Sequence, residues 1–152
     1  MEKVSIENVE PRSLSGDIDR RGLSDPLGTE DVAINRYRLD PGERFSSALH
    51  THMDQEEVFV VVEGEATFET PDAEVSVAAG EAIRFAPGEY QSGKNDGEDV
   101  LVAFGIGAPR HSRDVRVPRE CPECGHENMR AVPGDDGMTL VCPECEVELA
   151  GG

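Results

Sequence analysis

From Val32 onward, short apolar runs are broken every few positions by Gly, Pro and Asp. Residues 32–39, 57–63, 67–70, 74–77, 82–85 and 100–106 each read as a strand. Between them stand turn sequences such as Asp40-Pro41-Gly42-Glu43, Glu63-Gly64-Glu65, Pro71-Asp72-Ala73, Ala79-Gly80-Glu81 and Ala86-Pro87-Gly88-Glu89. Short strands with frequent turns predict an all-β sandwich or barrel. No helical periodicity of useful length competes with it. Residues 1–30 are polar, with Pro11, Gly16, Pro26 and Gly28, and read as an irregular arm with a short strand at 4–6. The barrel then spans 31–112. Residues 113–118, inside a polar stretch with several Arg and Pro118, read as a linker to a small module at 119–152.

Two segments carry metal chemistry. His50-Thr51-His52 places two imidazoles two residues apart, on one face of a strand. The next strand begins with a carboxylate pair, Glu56-Glu57, of which only one can face the imidazoles, because successive strand residues point opposite ways. Parity alone leaves Glu56 and Glu57 both open. Two His and one carboxylate suit a divalent transition metal such as Fe, Mn, Ni, Cu or Zn. The second segment holds all four cysteines, as Cys121-x-x-Cys124 and Cys142-x-x-Cys145. Two matched knuckles complete a tetrahedral four-thiolate site, which makes zinc structural there. A redox dithiol pair or an iron centre are the competing readings. The bridging Gly134-Asp135-Asp136-Gly137 is a natural turn, with a strand after it at 138–141. His111 and His126 take no part.

Gly42, His50-x-His52, Glu57 and Gly64, followed by a second motif from Gly80 to Gln91 that closes on Asn95, resemble the cupin superfamily over roughly residues 30–107. The resemblance implies a jelly-roll β-barrel, usually dimeric, with a metal held by His50, His52, Glu57 and a fourth residue. That fourth position is Gln91 here, where His is usual. Gln91 is then a weak fourth ligand, a neighbour of a water ligand, or a substrate contact. The module at 119–152 resembles a zinc ribbon, with Cys121, Cys124, Cys142 and Cys145 as its ligands. Such modules often contact partner proteins.

Composition narrows the function classes. The chain has 32 Asp and Glu against 14 Lys and Arg, a formal charge of −18, and its only lysines are Lys3 and Lys94. The acidity is spread along the chain: residues 116–152 alone carry 8 acids against 3 bases. This pattern predicts a halophilic protein, whose carboxylates keep the surface hydrated while salt screens their repulsion. It argues against binding nucleic acid or an anionic membrane surface, both of which need basic patches. No apolar run approaches the roughly 20 residues of a membrane span, and the first residues lack a signal-peptide core. The expected location is cytoplasmic, where cysteines serve as metal ligands more often than as disulfides. Arg36, Arg38, Arg84 and Tyr90 can meet an anionic ligand, although a solvated face paired with acids is the simpler reading. Phe45, Phe59, Phe68, Phe85 and Phe104 are expected to pack the barrel. The functional expectation is a metal-binding protein acting on a small polar molecule, by oxygenase- or isomerase-type chemistry with no catalytic residue assigned. The alternative is a non-enzymatic sensor whose ribbon contacts a protein.

Overall fold

The computed structural model of the chain describes residues 1–12, 18–134 and 137–150. After a 3-10 turn at Ile6–Asn8 come β1 (Asp19–Gly22), a single helical turn α1 (Ser24–Leu27), β2 (Ala33–Leu39), β3 (Thr51–His52), β4 (Glu56–Glu63), β5 (Glu65–Glu69), β6 (Glu74–Ala78) and β7 (Ala82–Phe85). β8 (Ser92–Lys94), β9 (Leu101–Ala108), β10 (Val115–Val117), β11 (Met129–Gly134), β12 (Gly137–Val141) and β13 (Glu148–Ala150) complete the order. The expected all-β barrel is what forms.

Two sheets make the barrel: β1-β2-β9-β4-β7 and β6-β5-β8. The strand period of two decides what lies between them. Along β9, buried and half-buried residues alternate without a break. Its inward residues align with those of its neighbours in rows: Tyr37, Ala103 and Val61 in one, Asn35, Gly105 and Phe59 in the next, Ala33, Gly107 and Glu57 in a third. Ala66, Phe68 and Val77 close the core from the smaller sheet, with Phe45 from a loop. The Phe45 and Phe68 rings stack at 5.6 Å between centroids, and Phe59 meets Phe68 at 5.0 Å. Fully buried Phe68, Leu39 and Leu101 each contribute roughly 1.5–3 kcal/mol. The chain crosses from β4 to β5 at Gly64, whose φ is 75° and whose missing Cβ would lie 2.5 Å from the Val100 carbonyl oxygen. Only glycine satisfies both demands.

The third sheet, β13-β12-β11-β10-β3, belongs to the cysteine module at one end and the barrel at the other. Val115 pairs with His52, and Val117 pairs with Met129. Residues 115–117, expected within a linker, are therefore a strand that joins the two parts by backbone hydrogen bonds.

Other expectations change as well. Residues 4–6 form no strand; a 3-10 turn begins at Ile6. The arm is not wholly irregular, since Asp19–Gly22 pairs with β2 in full register. Its sequence, Asp-Arg-Arg-Gly, has no apolar alternation, and ion pairs of Asp19 with Arg21 and Arg36 fasten it instead. Phe104 turns to the outer face of β9, beside Arg36 and Val60 in register, while the other four phenylalanines are in the core. Asp135 and Asp136 of the expected turn, and Gly16 of the arm, lie outside the described residues; Gly134 and Gly137 pair across that turn.

Candidate metal centres

His50 and His52 sit on a segment held from both sides. His50 exchanges backbone hydrogen bonds with Gln91 at 3.1 and 2.9 Å, and His52 is carried by β3 against β10. Glu57 enters at the start of β4 on the inward face. One ligand atom from each of His50, His52 and Glu57 lies within 4.8 Å of the other two. Glu56 turns outward to an ion pair with Arg84 at 2.6 Å, so strand parity selects Glu57. His52 Nε2 stands 3.5 Å from Glu57 Oε2. The imidazole rings of His50 and His52 meet edge-on at 5.3 Å.

The surroundings prepare these groups. His50 Nδ1 faces the Ala48 carbonyl at 3.0 Å; a carbonyl only accepts, so Nδ1 carries the proton and Nε2 keeps its lone pair. Burial pushes the His52 imidazole below its usual range; Glu57 pulls it back up and His50 adds to the lowering. The neutral ring is the ligating form. Gln91 is 2% exposed and its Nε2 donates to Glu57 Oε2 at 3.0 Å. Its Oε1 is buried without a partner, as is His52 Nδ1. Two imidazoles and a carboxylate converging beside unsatisfied polar atoms fit a divalent cation.

Asn95, which closes the second motif, is structural. Its amide nitrogen donates to the carbonyls of Leu39 and Asp99, and its oxygen accepts from Gly97. The arginines suggested as anion contacts are engaged on outer faces: Arg36 with Asp19 and Glu7, Arg38 with Asp40, Arg84 with Glu56. Tyr90 lies within electrostatic reach of Arg116 and Glu127 of the module. Three inward residues were not singled out by sequence reasoning. Tyr37 is buried in the aromatic core, Gln55 lies over Gly107 with its amide donating to the Pro109 carbonyl at 2.6 Å, and Arg20 covers the Tyr37 ring at 5.8 Å. The parity of residues 32–39 already puts Tyr37 on the side of Leu39; nothing in the polar arm marks Arg20.

The four cysteines form a second cluster. Cys121 and Cys145 sulfurs are 3.6 Å apart, and Cys124 and Cys142 sulfurs 3.5 Å. A disulfide would need about 2.05 Å, so these are free thiols. A tetrahedron with metal–sulfur bonds of ~2.3 Å has edges of ~3.8 Å, close to that spacing. The two knuckles are built alike. Gly125 N–H donates to the Cys121 carbonyl and Glu146 N–H to that of Cys142; Cys121 and Cys142 N–H groups donate to the carbonyls of His126 and Val147. The residue after each second cysteine is left-handed, Gly125 at φ 74° and Glu146 at φ 59°. Burial pushes the Cys142 thiol up, but backbone N–H groups of Cys145 and Glu144 and the neighbouring thiols outweigh it and bring it to about 6. The neighbouring thiols Cys124 and Cys145 are raised in turn, as expected where four close thiols share their protons. Cys121 and Cys142 pack with Met129 and Leu140, and with Val117 of β10.

Residues 35–107 match the family model of the Cupin domain, Cupin_2. A sugar phosphate isomerase from a cupin superfamily of Silicibacter pomeroyi superposes with a TM-score of 0.72 at 18% identity, over 95% of this chain and 94% of that one. A putative sugar phosphate isomerase from Acidithiobacillus ferrooxidans gives 0.63 at 22%, over 89% and 81%. A predicted oxalate decarboxylase from Thermotoga maritima gives 0.61 at 22%, over 70% and 98%. At these identities the likeness establishes the fold. No significant match is found among curated proteins.

Proposed function

We propose, on the premise that residues 35–107 are a cupin domain, that the barrel binds one divalent transition metal through His50, His52 and Glu57 and acts on a small polar molecule there. The convergence of three ligand atoms within 4.8 Å, with His50 already in the ligating tautomer, carries this reading. A metal bound there would act as a Lewis acid toward a substrate oxygen. Gln91 positions Glu57 through its amide nitrogen, and its unpartnered Oε1 is the oxygen it offers as a weak fourth ligand. Phe85, the register partner of Glu57, and Phe59 are buried in the core on the same sheet.

The cysteine module, residues 119–152, is a zinc ribbon in this reading, with Cys121, Cys124, Cys142 and Cys145 as ligands of a structural zinc. Its matched knuckles and thiol spacing support that. The barrel then spans 31–112. The dispersed charge of −18 supports a halophilic, cytoplasmic protein, and the cupin resemblance supports a homodimer. The acidic ribbon suits a protein contact better than nucleic acid.

Cobalt(II) titration of the metal-stripped chain tests the assignment. Thiolate ligands give an intense charge-transfer absorption and imidazole–carboxylate sites only weak bands, so both sites report separately. The expected result is two components, of which His50→Ala with His52→Ala removes the weak one alone. A weak component that survives this double substitution would disprove the barrel site.

A further inference from the structure

Strand parity gives the two barrel sheets unlike outer faces. On the smaller sheet, Ala66, Phe68 and Val77 point into the core, so Glu65, Thr67 and Glu69 of β5 and Glu74 and Ser76 of β6 face out. That face is polar and acidic, as expected for a chain with 32 acids against 14 bases. On the larger sheet, Tyr37, Phe59, Val61 and Ala103 point inward. The residues that alternate with them face out: Ile34 of β2, Val102, Phe104 and Ile106 of β9, and Val58 and Val60 of β4. Each of these six is still partly accessible, and neither apolar cluster of the described residues includes any of them. Phe104 has no aromatic neighbour among the described residues, whereas the other four phenylalanines pack on one another.

Register orders this face into rows. Ile34, Ile106 and Val58 form the first, and Arg36, Phe104 and Val60 the second. The third is Arg38, Val102 and Glu63, the last two paired beyond the β4 bulge. An apolar strip centred on β9 thus carries a base at one end of its last row and an acid at the other. Arg38 pairs with Asp40 through Nη1 and stays 42% exposed, so it can take a second carboxylate. Glu63 is exposed and has no ion pair among the described residues.

Such a row is complementary to its own copy. A two-fold axis along β9 lays one face on the other with the strands aligned. It brings Arg38 of each copy opposite Glu63 of the other, and Phe104 against its own equivalent. An axis across the strands through Phe104 would instead set Arg38 over Ile34 and Glu63 over Val58, which desolvates both charges unpaired. Aligned sheets about 10 Å apart with interdigitated apolar side chains make a stable sandwich contact. We propose that the outer face of β2, β9 and β4 is the interface between two copies of this chain, related by a two-fold axis along β9 and set in register by Arg38–Glu63 pairs. This deepens the homodimer reading and rests on it. An isologous contact requires one patch to fit itself, and concentrated salt screens the repulsion between two chains of charge −18.

Sedimentation velocity of the full chain in concentrated potassium chloride tests the interface. The parent is expected at twice the mass of one chain. Phe104→Glu, which sets two carboxylates against each other at the axis, is expected at the mass of one. Thr67→Glu, on the outer face of the smaller sheet, should stay at the mass of two. A cooperative denaturant transition shows that Phe104→Glu is folded. Should it not fold, the charge pair carries the test. Arg38→Glu and Glu63→Arg should each raise the dimer dissociation constant about tenfold or more, because each sets like charges opposite one another. An equimolar mixture of these two variants should regain the parent's value, since each copy then meets its complement. A parent at the mass of one chain would overturn the proposal together with the homodimer reading. A dimer that persists in folded Phe104→Glu, or a mixture that regains nothing, would overturn the interface and leave the homodimer reading standing.

Discussion

A carboxylate accepts hydrogen bonds and cannot donate them, so Gln91 must offer Glu57 its nitrogen. In the proposed reading this makes Gln91 a clamp on the Glu57 carboxylate, and its own Oε1 stays without a protein partner beside the ligand cluster. Gln91→Leu is predicted to keep the fold and lower barrel-metal affinity by roughly 10–100-fold, the usual scale for losing such a partner; competition against a chromophoric chelator measures it. Glu146 is the residue-scale cost in the other site. A side chain in the left-handed region costs about 1–2 kcal/mol, and the equivalent position in the sister knuckle is Gly125. Glu146→Gly is predicted to stabilise the module by about 1 kcal/mol, seen as slower release of its metal to a chelator. His50, His52, Glu57 and the four cysteines were readable as residue patterns because strand parity and knuckle spacing are short-range rules. Gln91's partner was not, since it depends on which strands meet.

At the scale of elements, the apolar alternation gave away β2, β4, β5, β6, β7 and β9, whose inward residues are the core. β1 and β8 escaped because each is short and rich in polar or charged residues, and β10, Val-Arg-Val, because three residues are too few to show a period. β1 depends on Asp19. The Arg21 hydrogen bond, offset by burial and reinforced by Arg36, holds the Asp19 carboxyl below its usual range. A carboxyl depressed in the folded state stabilises it at pH above its unfolded value, about 3.9, and that contribution fades as pH falls through the folded value. The β1 amides are therefore predicted to lose hydrogen-exchange protection on acidification before those of β9, and Asp19→Asn should show that loss already at neutral pH. Equal protection of β1 in the variant and the parent would contradict this. The β4–β5 crossing has a similar single point of failure. Gly64→Ala must move Val100 and adopt a strained φ, and is predicted to cost at least about 2 kcal/mol in a denaturant titration.

For the whole molecule, the sheet that runs from the cysteine module into β3 matters most. The sequence suggests two modules on a linker, in which losing a cysteine would unfold the ribbon alone. The structure joins them: Val117 packs against the cysteine core, and Val115, two residues away, pairs with His52. Cys121→Ser is thus predicted to lose the ribbon metal and also to weaken barrel-metal affinity, by about tenfold or more, with the barrel core still folded. The long-range pairing behind this prediction leaves no trace in local sequence texture, which is why residues 113–118 look like a linker. The chain is proposed to carry two distinct metal sites, one in the barrel and one among the cysteines. Elemental mass spectrometry of the full-length chain, purified in high salt beside its His50→Ala/His52→Ala variant, tests it most directly. Two metals per chain, of which the variant loses one and keeps zinc, is the predicted result. A single zinc in both proteins would contradict the account.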